Sequence, residues 1–234
     1  MDETLYQKWF DFTASHLPKK TETILELACG TGALACKFAR AGFQVTALDL
    51  SEEMLMIAYN RAIAEDVEVT FMLGDMLDLD ASVKYQAITC FSDSLCYMKD
   101  ERAVQQVFDG VANALAGDGV FIFDVHSIYK VDELFPDYSF HENEEDFAFL
   151  WDSYPGDTAH SIVHELTFFV KDEDNNFKRF DEIHRERTYE LNFFLQMLES
   201  SGFDNVQVFA DFENKAPTPT SERLFFVCRK YSGG

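Results

Sequence analysis

The sequence predicts an α/β fold in which a doubly wound parallel sheet binds a ligand beyond the ends of its strands. Three observations support this prediction. Short apolar segments alternate with amphipathic segments from residue 24 to residue 125, a glycine turn follows the first apolar segment, and 47% of the 234 residues are hydrophobic. Alternating strands and helices of these lengths are typical of parallel sheets, and the apolar content suffices for a large core.

The glycine turn is the most informative stretch of the chain. The apolar segment 24–28 is interrupted only by Glu26 and ends at Gly30-Thr31-Gly32, after which apolar residues recur at helical spacing. The stretch therefore predicts a buried strand, a tight turn and a helix. Glycines permit positive φ and close approach of a ligand, and the helix N-terminus attracts a carboxylate or phosphate.

The predicted elements follow in order. An amphipathic helix at 5–16 precedes the glycine turn, and Gly42 and Ser51 are placed as a helix C-terminal glycine and a helix N-cap. The predicted strands of the first half are 24–28, 44–48, 67–73, 85–91 and 120–125, and the predicted helices are 33–41, 51–64 and 101–115.

The pattern changes after His126. The segment 130–146 is acidic and lacks periodicity, whereas 147–154, 161–171 and 177–188 predict strands separated by turn residues. We expect about three antiparallel strands inserted into the parent fold, which resumes with a helix at 191–200 and strands at 206–211 and 224–229. The predicted domains are therefore 1–126 with 189–234, and an inserted substrate cap at 127–188.

Two cofactor classes compete for the glycine turn. Gly30-x-Gly32-x-x-Ala35, followed by Asp49, matches the dinucleotide fingerprint and would make the protein an NAD(P)-binding oxidoreductase. Glu26 favours S-adenosylmethionine instead, because a carboxylate beside the turn repels a diphosphate but attracts a sulfonium or an ammonium.

Three motifs in order resemble the class I S-adenosylmethionine-dependent methyltransferases, and in particular small bacterial members of undefined substrate. Residues 26–32, Glu-Leu-Ala-Cys-Gly-Thr-Gly, resemble the first motif, with Ala28 where glycine is usual. Asp49 resembles the ribose-binding acid, and Gly74-Asp75-Met76 resembles the adenine-binding motif. The resemblance implies a Rossmann-like sheet of seven strands, the last antiparallel, and S-adenosyl-L-methionine as cofactor with S-adenosyl-L-homocysteine as product.

The resemblance also implies a set of cofactor-binding residues. Glu26 would orient the ammonium, Asp49 would accept from both ribose hydroxyls, and Asp75 would accept from the adenine amino group. Each of these acids also has a purely structural interpretation. Glu26 would be a buried acid paired within the protein, Asp49 a helix-capping or strand-end acid, and Asp75 a turn acid. The full expected set is Glu26, Ala28, Gly30, Gly32, Asp49, Leu50, Met54, Asp75, Met76 and Phe91.

The catalytic candidates are Asp93, His126 and Tyr189. Methyl transfer from a sulfonium is an in-line displacement that depends on alignment, but a nitrogen or oxygen nucleophile must lose a proton. Asp93 follows the strand at 85–91 and His126 ends the strand at 120–125, so both would face the cofactor. The sequence does not choose among the three. An equal alternative to catalysis is that Asp93 is a solvated loop acid and that His126 is a structural histidine.

Basic and histidine residues of the insertion allow two interpretations. Arg185 and Arg187 would either form an anion pocket for the substrate or pair with acids across strands, and we favour the pairing. His160 and His164 lie four apart on a strand without metal-ligand geometry, so we expect no metal site.

The bulk composition narrows the function further. A net charge of −23 disfavours nucleic acid and anionic membrane partners, and five cysteines without a C-x-x-C pair predict reduced thiols in the cytoplasm. We expect a monomer or homodimer that methylates a small molecule on nitrogen or oxygen rather than on carbon or sulfur. A non-catalytic protein that binds S-adenosylmethionine is the further alternative. Relatives should carry a short aromatic segment before the helix at 5–16, folded over the cofactor, and we expect this chain to begin just after it.

Overall fold

The computed structural model describes residues 3–230, so residues 1–2 and 231–234 of the predicted main domain lie outside the described residues. The helices are α1 Glu3–His16, α2 Ala33–Arg40, α3 Glu52–Ala64, α4 Glu101–Ala114 and α5 Leu191–Ser200. The strands are β1 Thr23–Leu27, β2 Gln44–Asp49, β3 Val69–Leu73, β4 Tyr85–Cys90, β5 Leu115–His126, β6 Ser139–Asn143, β7 Phe147–Pro155, β8 Ser161–Lys171, β9 Phe177–Arg187, β10 Asn205–Ala210 and β11 Arg223–Arg229.

The main sheet has seven strands in the order β10-β11-β5-β4-β1-β2-β3. Strands β1 to β5 pair in parallel, whereas β11 runs antiparallel to both β5 and β10. The predicted doubly wound sheet with an antiparallel last strand is confirmed. The strand order reverses between β1 and β4, so a crevice opens beyond their carboxyl ends, where open α/β sheets bind ligands.

Burial explains why these segments form this sheet. Strands β1, β4 and the second half of β5 are buried on both faces, as central parallel strands are when helices cover them. The predicted capping of α3 is confirmed, because the Ser51 hydroxyl accepts a hydrogen bond from the Met54 N–H at 3.1 Å.

The start of β5 differs from the prediction. The strand begins at Leu115 rather than at residue 120, and it includes Gly117 and Gly119, which were expected to form a loop. A register irregularity between Tyr85 and Ala87 accommodates the early start. A Cβ on Gly119 would lie 2.9 Å from the Gln86 carbonyl oxygen, which explains a glycine within this strand.

The second sheet is antiparallel, in the order β6-β7-β8-β9, and so has four strands rather than the expected three. The extra strand, β6, pairs only with β7, and all five of its residues are exposed. An exposed edge strand needs no apolar alternation, so its sequence gives no strand signal.

No helix within residues 3–230 is long and apolar enough to cross a membrane.

Candidate active site

A cavity of about 430 Å³ lies at the carboxyl ends of the central strands. Helix α1, the glycine turn, the loop after β4 and strand β9 meet around it, and the ends of β1 and β2 and the starts of α2 and α3 contribute one residue each. Its lining residues are Tyr6, Trp9, Glu26, Ala28, Cys29, Gly30, Leu34, Asp49, Met54, Phe91, Ser92, Ser94, Tyr97 and His184.

The glycine turn presents bare backbone to this cavity. Ala28, Gly30 and Gly32 all have positive φ, at 52°, 52° and 71°. A Cβ on Gly30 would meet no atom within 4 Å, whereas a Cβ on Gly32 would lie 2.7 Å from the Ala58 Cβ. Gly32 is therefore required for the packing of α3 against the turn, and Gly30 leaves open space for a ligand.

Glu26 is a buried acid without a counter-ion. Its residue is 5% exposed, and its Oε2 atom has no hydrogen-bond partner among the described residues. Burial, with a smaller contribution from the Asp49 carboxylate, raises the pKa of Glu26 to about 8. A buried acid with an unpartnered oxygen at a cavity wall suits a cation, because a nearby cation lowers the cost of its charged form.

Asp49 connects the turn to the next helix. Its Oδ2 accepts from the Gly30 N–H at 2.6 Å, and its Oδ1 accepts from the Ser51 N–H at 2.9 Å. Each carboxylate oxygen can accept a second hydrogen bond, so the residue keeps acceptor capacity towards the cavity.

The structure brings together six of the ten expected cofactor residues: Glu26, Ala28, Gly30, Asp49, Met54 and Phe91 line the cavity. The other four, Gly32, Leu50, Asp75 and Met76, do not. Leu50 is 71% exposed, and Asp75 accepts from the Leu77 N–H at 2.9 Å as a turn acid does. Residues 74–76, the expected adenine-binding motif, still lie next to the cavity, since the Gly74 N–H donates to the Asp49 carbonyl at 3.0 Å.

The catalytic candidate Asp93 belongs to a buried ionic network, which we call the Arg223 network: Trp9, Asp93, Asp124, His126 and Arg223. The Arg223 guanidinium donates to both oxygens of Asp93, at 3.1 Å from Nη2 to Oδ2, and to Asp124 Oδ2 at 2.6 Å. Asp124 also accepts from the Trp9 indole N–H at 2.7 Å and from the Asp93 backbone N–H at 3.2 Å. Two carboxylates thus share one guanidinium, which is 12% exposed.

The second candidate, His126, contacts the first. Its Nε2 lies 3.0 Å from Asp93 Oδ2, and its Nδ1 has no hydrogen-bond partner among residues 3–230. The Arg223 guanidinium and His126 together hold the pKa of Asp93 well below its usual range, against the effect of burial. Burial lowers the pKa of His126, so this imidazole is neutral near pH 7.

The third candidate, Tyr189, lies apart from the other two. Its ring stacks on Phe193 with centroids 4.2 Å apart, and it lines a separate cavity of about 360 Å³ near the start of α5. Burial raises the pKa of its hydroxyl.

Sequence reasoning missed two features of the site. Arg223 stands 130 residues from Asp93, and no motif links them, so only the pairing of β11 with β5 reveals the contact. Tyr97 and His184 were not expected to line the 430 Å³ cavity, the candidate cofactor cavity, but both line it and the Tyr97 hydroxyl lies 3.0 Å from His184 Nδ1. Within residues 3–230, no group of three His, Cys, Asp or Glu side chains could hold a metal ion.

Comparisons with known proteins agree with this geometry. A family described as a methyltransferase domain matches residues 24–119. The putative methyltransferase GWCH70_2453 of Geobacillus sp. (strain WCH70) is 42% identical over 98% of this chain and 95% of its own length. The chain belongs to the class I S-adenosylmethionine-dependent methyltransferases.

Two solved structures resemble this methyltransferase along nearly its whole length. A S-adenosylmethionine-dependent methyltransferase from Clostridium acetobutylicum ATCC 824 has a TM-score of 0.87 at 29% identity, covering 96% of this chain and 92% of its own. The sugar N-methyltransferase KedS8 from Streptoalloteichus sp ATCC 53650 has a TM-score of 0.78 at 18% identity, covering 98% and 89%. At that identity the second likeness concerns the fold alone.

The cavity of this methyltransferase fits its family's cofactor. The open oxygen of Glu26 suits an ammonium, the bare backbone at Gly30 suits close approach of a chain, and Asp49 keeps acceptor capacity for hydroxyls. A pyrophosphate would meet the Glu26 and Asp49 carboxylates here, so a dinucleotide fits less well.

Proposed function

We propose that this methyltransferase transfers a methyl group from S-adenosylmethionine to a nitrogen or oxygen atom of a small-molecule acceptor. The observation that carries the proposal is the buried carboxylate of Glu26, which faces the cavity beside bare glycine backbone without a protein counter-ion. The fold is shared with KedS8, a sugar N-methyltransferase, and a small acceptor is consistent with that likeness.

The cofactor would be held along the cavity floor. Glu26 would bind the ammonium, the turn at Ala28 and Gly30 would contact the methionine part, and Asp49 would accept from the ribose hydroxyls. We place the adenine beside Asp75 and Met76, because their segment hydrogen-bonds to the end of β2 through Gly74. The bound cofactor supplies an activated methyl group, and the remaining chemistry is alignment and proton removal by the protein.

Asp93 and His126 have different roles in this proposal. Asp93 is held ionised by Arg223, so it is a poor proton acceptor near pH 7 and serves to orient His126. His126 is neutral at that pH and can take up a proton that leaves the acceptor. A role for Tyr189 stays a prediction, since it lies in a different cavity.

We further propose that residues 127–188 form a substrate cap on the domain made of 1–126 and 189–234. The contact between Tyr97 and His184 supports this division, because it places β9 at the mouth of the cofactor cavity. The five cysteines are all buried and free, which suits a reducing compartment such as the cytoplasm. We infer a monomer or a homodimer as the working form.

A binding titration tests the cofactor assignment. We expect S-adenosylhomocysteine to bind and NADH not to bind, and binding of NADH alone would support the oxidoreductase alternative instead. A screen of amines, phenols and thiols with a deuterated methyl donor then tests the reaction by mass spectrometry. Tight S-adenosylhomocysteine binding without transfer to any acceptor would favour a non-catalytic cofactor-binding protein.

A further inference from the structure

Another cavity of about 360 Å³, distinct from the one that Tyr189 lines, lies between the loop after β4 and the inserted sheet, and we call it the cap cavity. We propose that the cap cavity receives the methyl acceptor as an amine that also carries an anionic group, with the amine at Glu186 and the anion at Arg185 and Lys99. This inference rests on the proposed methyl transfer and adds the chemical class of the acceptor.

The position of the cap cavity fits an acceptor site. Tyr97 lines both this cavity and the proposed cofactor cavity, so the two cavities are neighbours. The other walls come from the short helix Ser94–Tyr97, the hairpin between β7 and β8, and the end of β9. An acceptor here would approach the cofactor along Tyr97.

Glu186 is the buried polar group of the cap cavity. The residue is 7% exposed, it lines the cavity, and its Oε2 has no hydrogen-bond partner among the described residues. The nearest basic atoms are His126 Nε2, which lies 3.5 Å from Oε2, and His164 Nε2, which lies 3.8 Å from Oε1. An unpaired buried carboxylate is costly, and an ammonium group of a ligand would satisfy it.

The charges behind Glu186 favour a cation at this place. Glu186, Asp93 and Asp124 are three buried carboxylates, and Arg223 is the guanidinium that pairs with two of them. Burial lowers the pKa of His126 and lowers that of His164 to about 4, so neither imidazole supplies a positive charge near pH 7. The excess negative charge attracts a cationic amine.

The opposite charge gathers at the open side of the same cavity. Lys99 and Arg185 line it together with one exposed acid, Asp157; both basic residues are exposed, and neither forms an ion pair with another described residue. Arg187 differs, because its Nη1 pairs with Glu101 at 3.1 Å. In a chain of net charge −23, two unpaired cations at one cavity favour an anionic substituent, either a phosphate or a carboxylate.

In the proposed transfer Glu186 is the first proton acceptor, and atoms and charge are conserved as follows. The ammonium of the acceptor gives one proton to the Glu186 carboxylate, and the freed nitrogen lone pair attacks the methyl carbon. The bond from that carbon to sulfur breaks, and its electron pair stays on sulfur, which gives S-adenosylhomocysteine and a methylated ammonium. The proton on Glu186 passes to solvent, directly or through His126, so one proton is released in each cycle.

Paired probes test the acceptor class. The wild-type enzyme is assayed with deuterated-methyl cofactor on glucosamine 6-phosphate against glucosamine, and on 4-aminobutyrate against butylamine. We expect at least one anionic amine to exceed its neutral partner by about tenfold in kcat/KM, a difference of ~1.4 kcal/mol. The pair that shows the difference separates a phosphate from a carboxylate.

Variants test which residues bind the anionic end and the amine end of the acceptor. The double variant Arg185→Ala with Lys99→Ala should remove the preference by raising KM for the anionic amine only. Glu186→Gln should lower kcat for every amine by about tenfold or more while the Kd for S-adenosylhomocysteine is unchanged. Arg179→Ala is the matched control, because it lies on the same strand but pairs with Asp181 away from the cavity.

Equal rates for anionic and neutral amines, or full activity of Glu186→Gln, would overturn the inference. Bound S-adenosylhomocysteine with methylation of none of the four amines would overturn it too, while leaving the cofactor assignment intact. Failure of S-adenosylhomocysteine to bind would instead contradict the proposed function itself.

Discussion

At the residue scale, the glycine turn shows how one short stretch combines packing with binding. Ala28 adopts a positive φ that alanine tolerates at a cost of roughly 1–2 kcal/mol, where the family usually has glycine. At Gly32 an added Cβ would clash with Ala58. At Gly30 an added Cβ would meet no protein atom, so beyond its positive φ the position is restricted by the space that a ligand needs. Two glycines of the same motif thus have separable roles.

Alanine substitutions should separate these roles. Gly32→Ala should lower the free energy of unfolding by roughly 2–5 kcal/mol, because the new Cβ meets Ala58 and the φ is unfavourable. Gly30→Ala should cost only about 1–2 kcal/mol but weaken S-adenosylhomocysteine binding. Urea unfolding and calorimetry measure both quantities, and equal stability losses in the two variants would contradict the assignment.

Glu26 should also affect stability in a pH-dependent way. Its folded pKa of about 8 lies above the ordinary value of 4.5, so the folded state prefers the protonated acid. The contribution of Glu26 to the free energy of unfolding is therefore fully present below pH 4.5 and is lost as the pH rises towards 8. Glu26→Gln should consequently stabilise the ligand-free protein more at about pH 8 than at about pH 5, by an amount on the order of a few kcal/mol. A difference independent of pH in urea unfolding would disprove this.

Some residues of the candidate site were predictable from the sequence, and others were not. Glu26, Ala28, Gly30 and Asp49 were predicted because a local motif fixes their relative positions, and all line the cavity. Arg223 was missed, because its partners come from strands and loops far away in the chain. Local spacing predicts a turn, but it does not predict which charges the tertiary packing brings together.

At the scale of elements, the Arg223 network joins four parts of the fold. Trp9 belongs to α1, Asp93 to the loop after β4, Asp124 and His126 to β5, and Arg223 to β11. Helix α1 and the loop after β4 both line the cofactor cavity, so the network holds two of its walls against the sheet.

Removal of the Arg223 guanidinium should lower the free energy of unfolding. Arg223→Met leaves the Asp93 and Asp124 carboxylates buried without a cationic partner, so the free energy of unfolding should fall by about 3–5 kcal/mol near pH 7. The pKa of Asp93 is lowered in the folded state, so its stabilising effect is present above pH 3.8 and is lost as pH falls. The cost of the substitution should therefore shrink in acid.

Arg40→Met provides the matched control for that measurement. Arg40 pairs with Glu65 at 2.7 Å on the surface, and loss of such a pair should cost less than about 1 kcal/mol. Equal destabilisation by the two substitutions would show that the Arg223 network contributes no more than a surface pair.

Secondary structure was predictable for buried elements and less so for exposed ones. The central strands carry continuous apolar runs because helices cover both faces, and these were placed correctly. Strand β6 is exposed along its whole length and depends on pairing with β7, so its composition resembles a loop. Edge strands of this kind require the partner strand to be known.

At the scale of the whole molecule, the net charge of −23 opposes folding through self-repulsion. Raising the NaCl concentration from about 0.01 to about 0.15 M shortens the screening length from ~30 to ~8 Å. We expect the thermal unfolding midpoint at neutral pH to rise with this change. Near the isoelectric point of about 4.4 the effect should vanish, and a falling midpoint at neutral pH would contradict the expectation.

The whole fold was predictable from the order of its elements, since alternating strands and helices allow few topologies. Its function was predictable only as far as the cofactor, because the motif contains the chemistry that recognises the cofactor. The cap cavity, which we propose as the acceptor site, is assembled from β9, the loop after β4 and a hairpin, and no motif spans these parts.

The central claim is that the Glu26 carboxylate recognises the ammonium of S-adenosylmethionine. The most direct test is calorimetric titration of S-adenosylhomocysteine, which shares that ammonium, into the wild-type protein and Glu26→Gln near neutral pH. We predict a Kd about tenfold to a hundredfold higher for the variant, and proton release on binding only in the wild type, as a buried acid deprotonates beside the ammonium. Equal Kd values with no proton release in either protein would contradict the account.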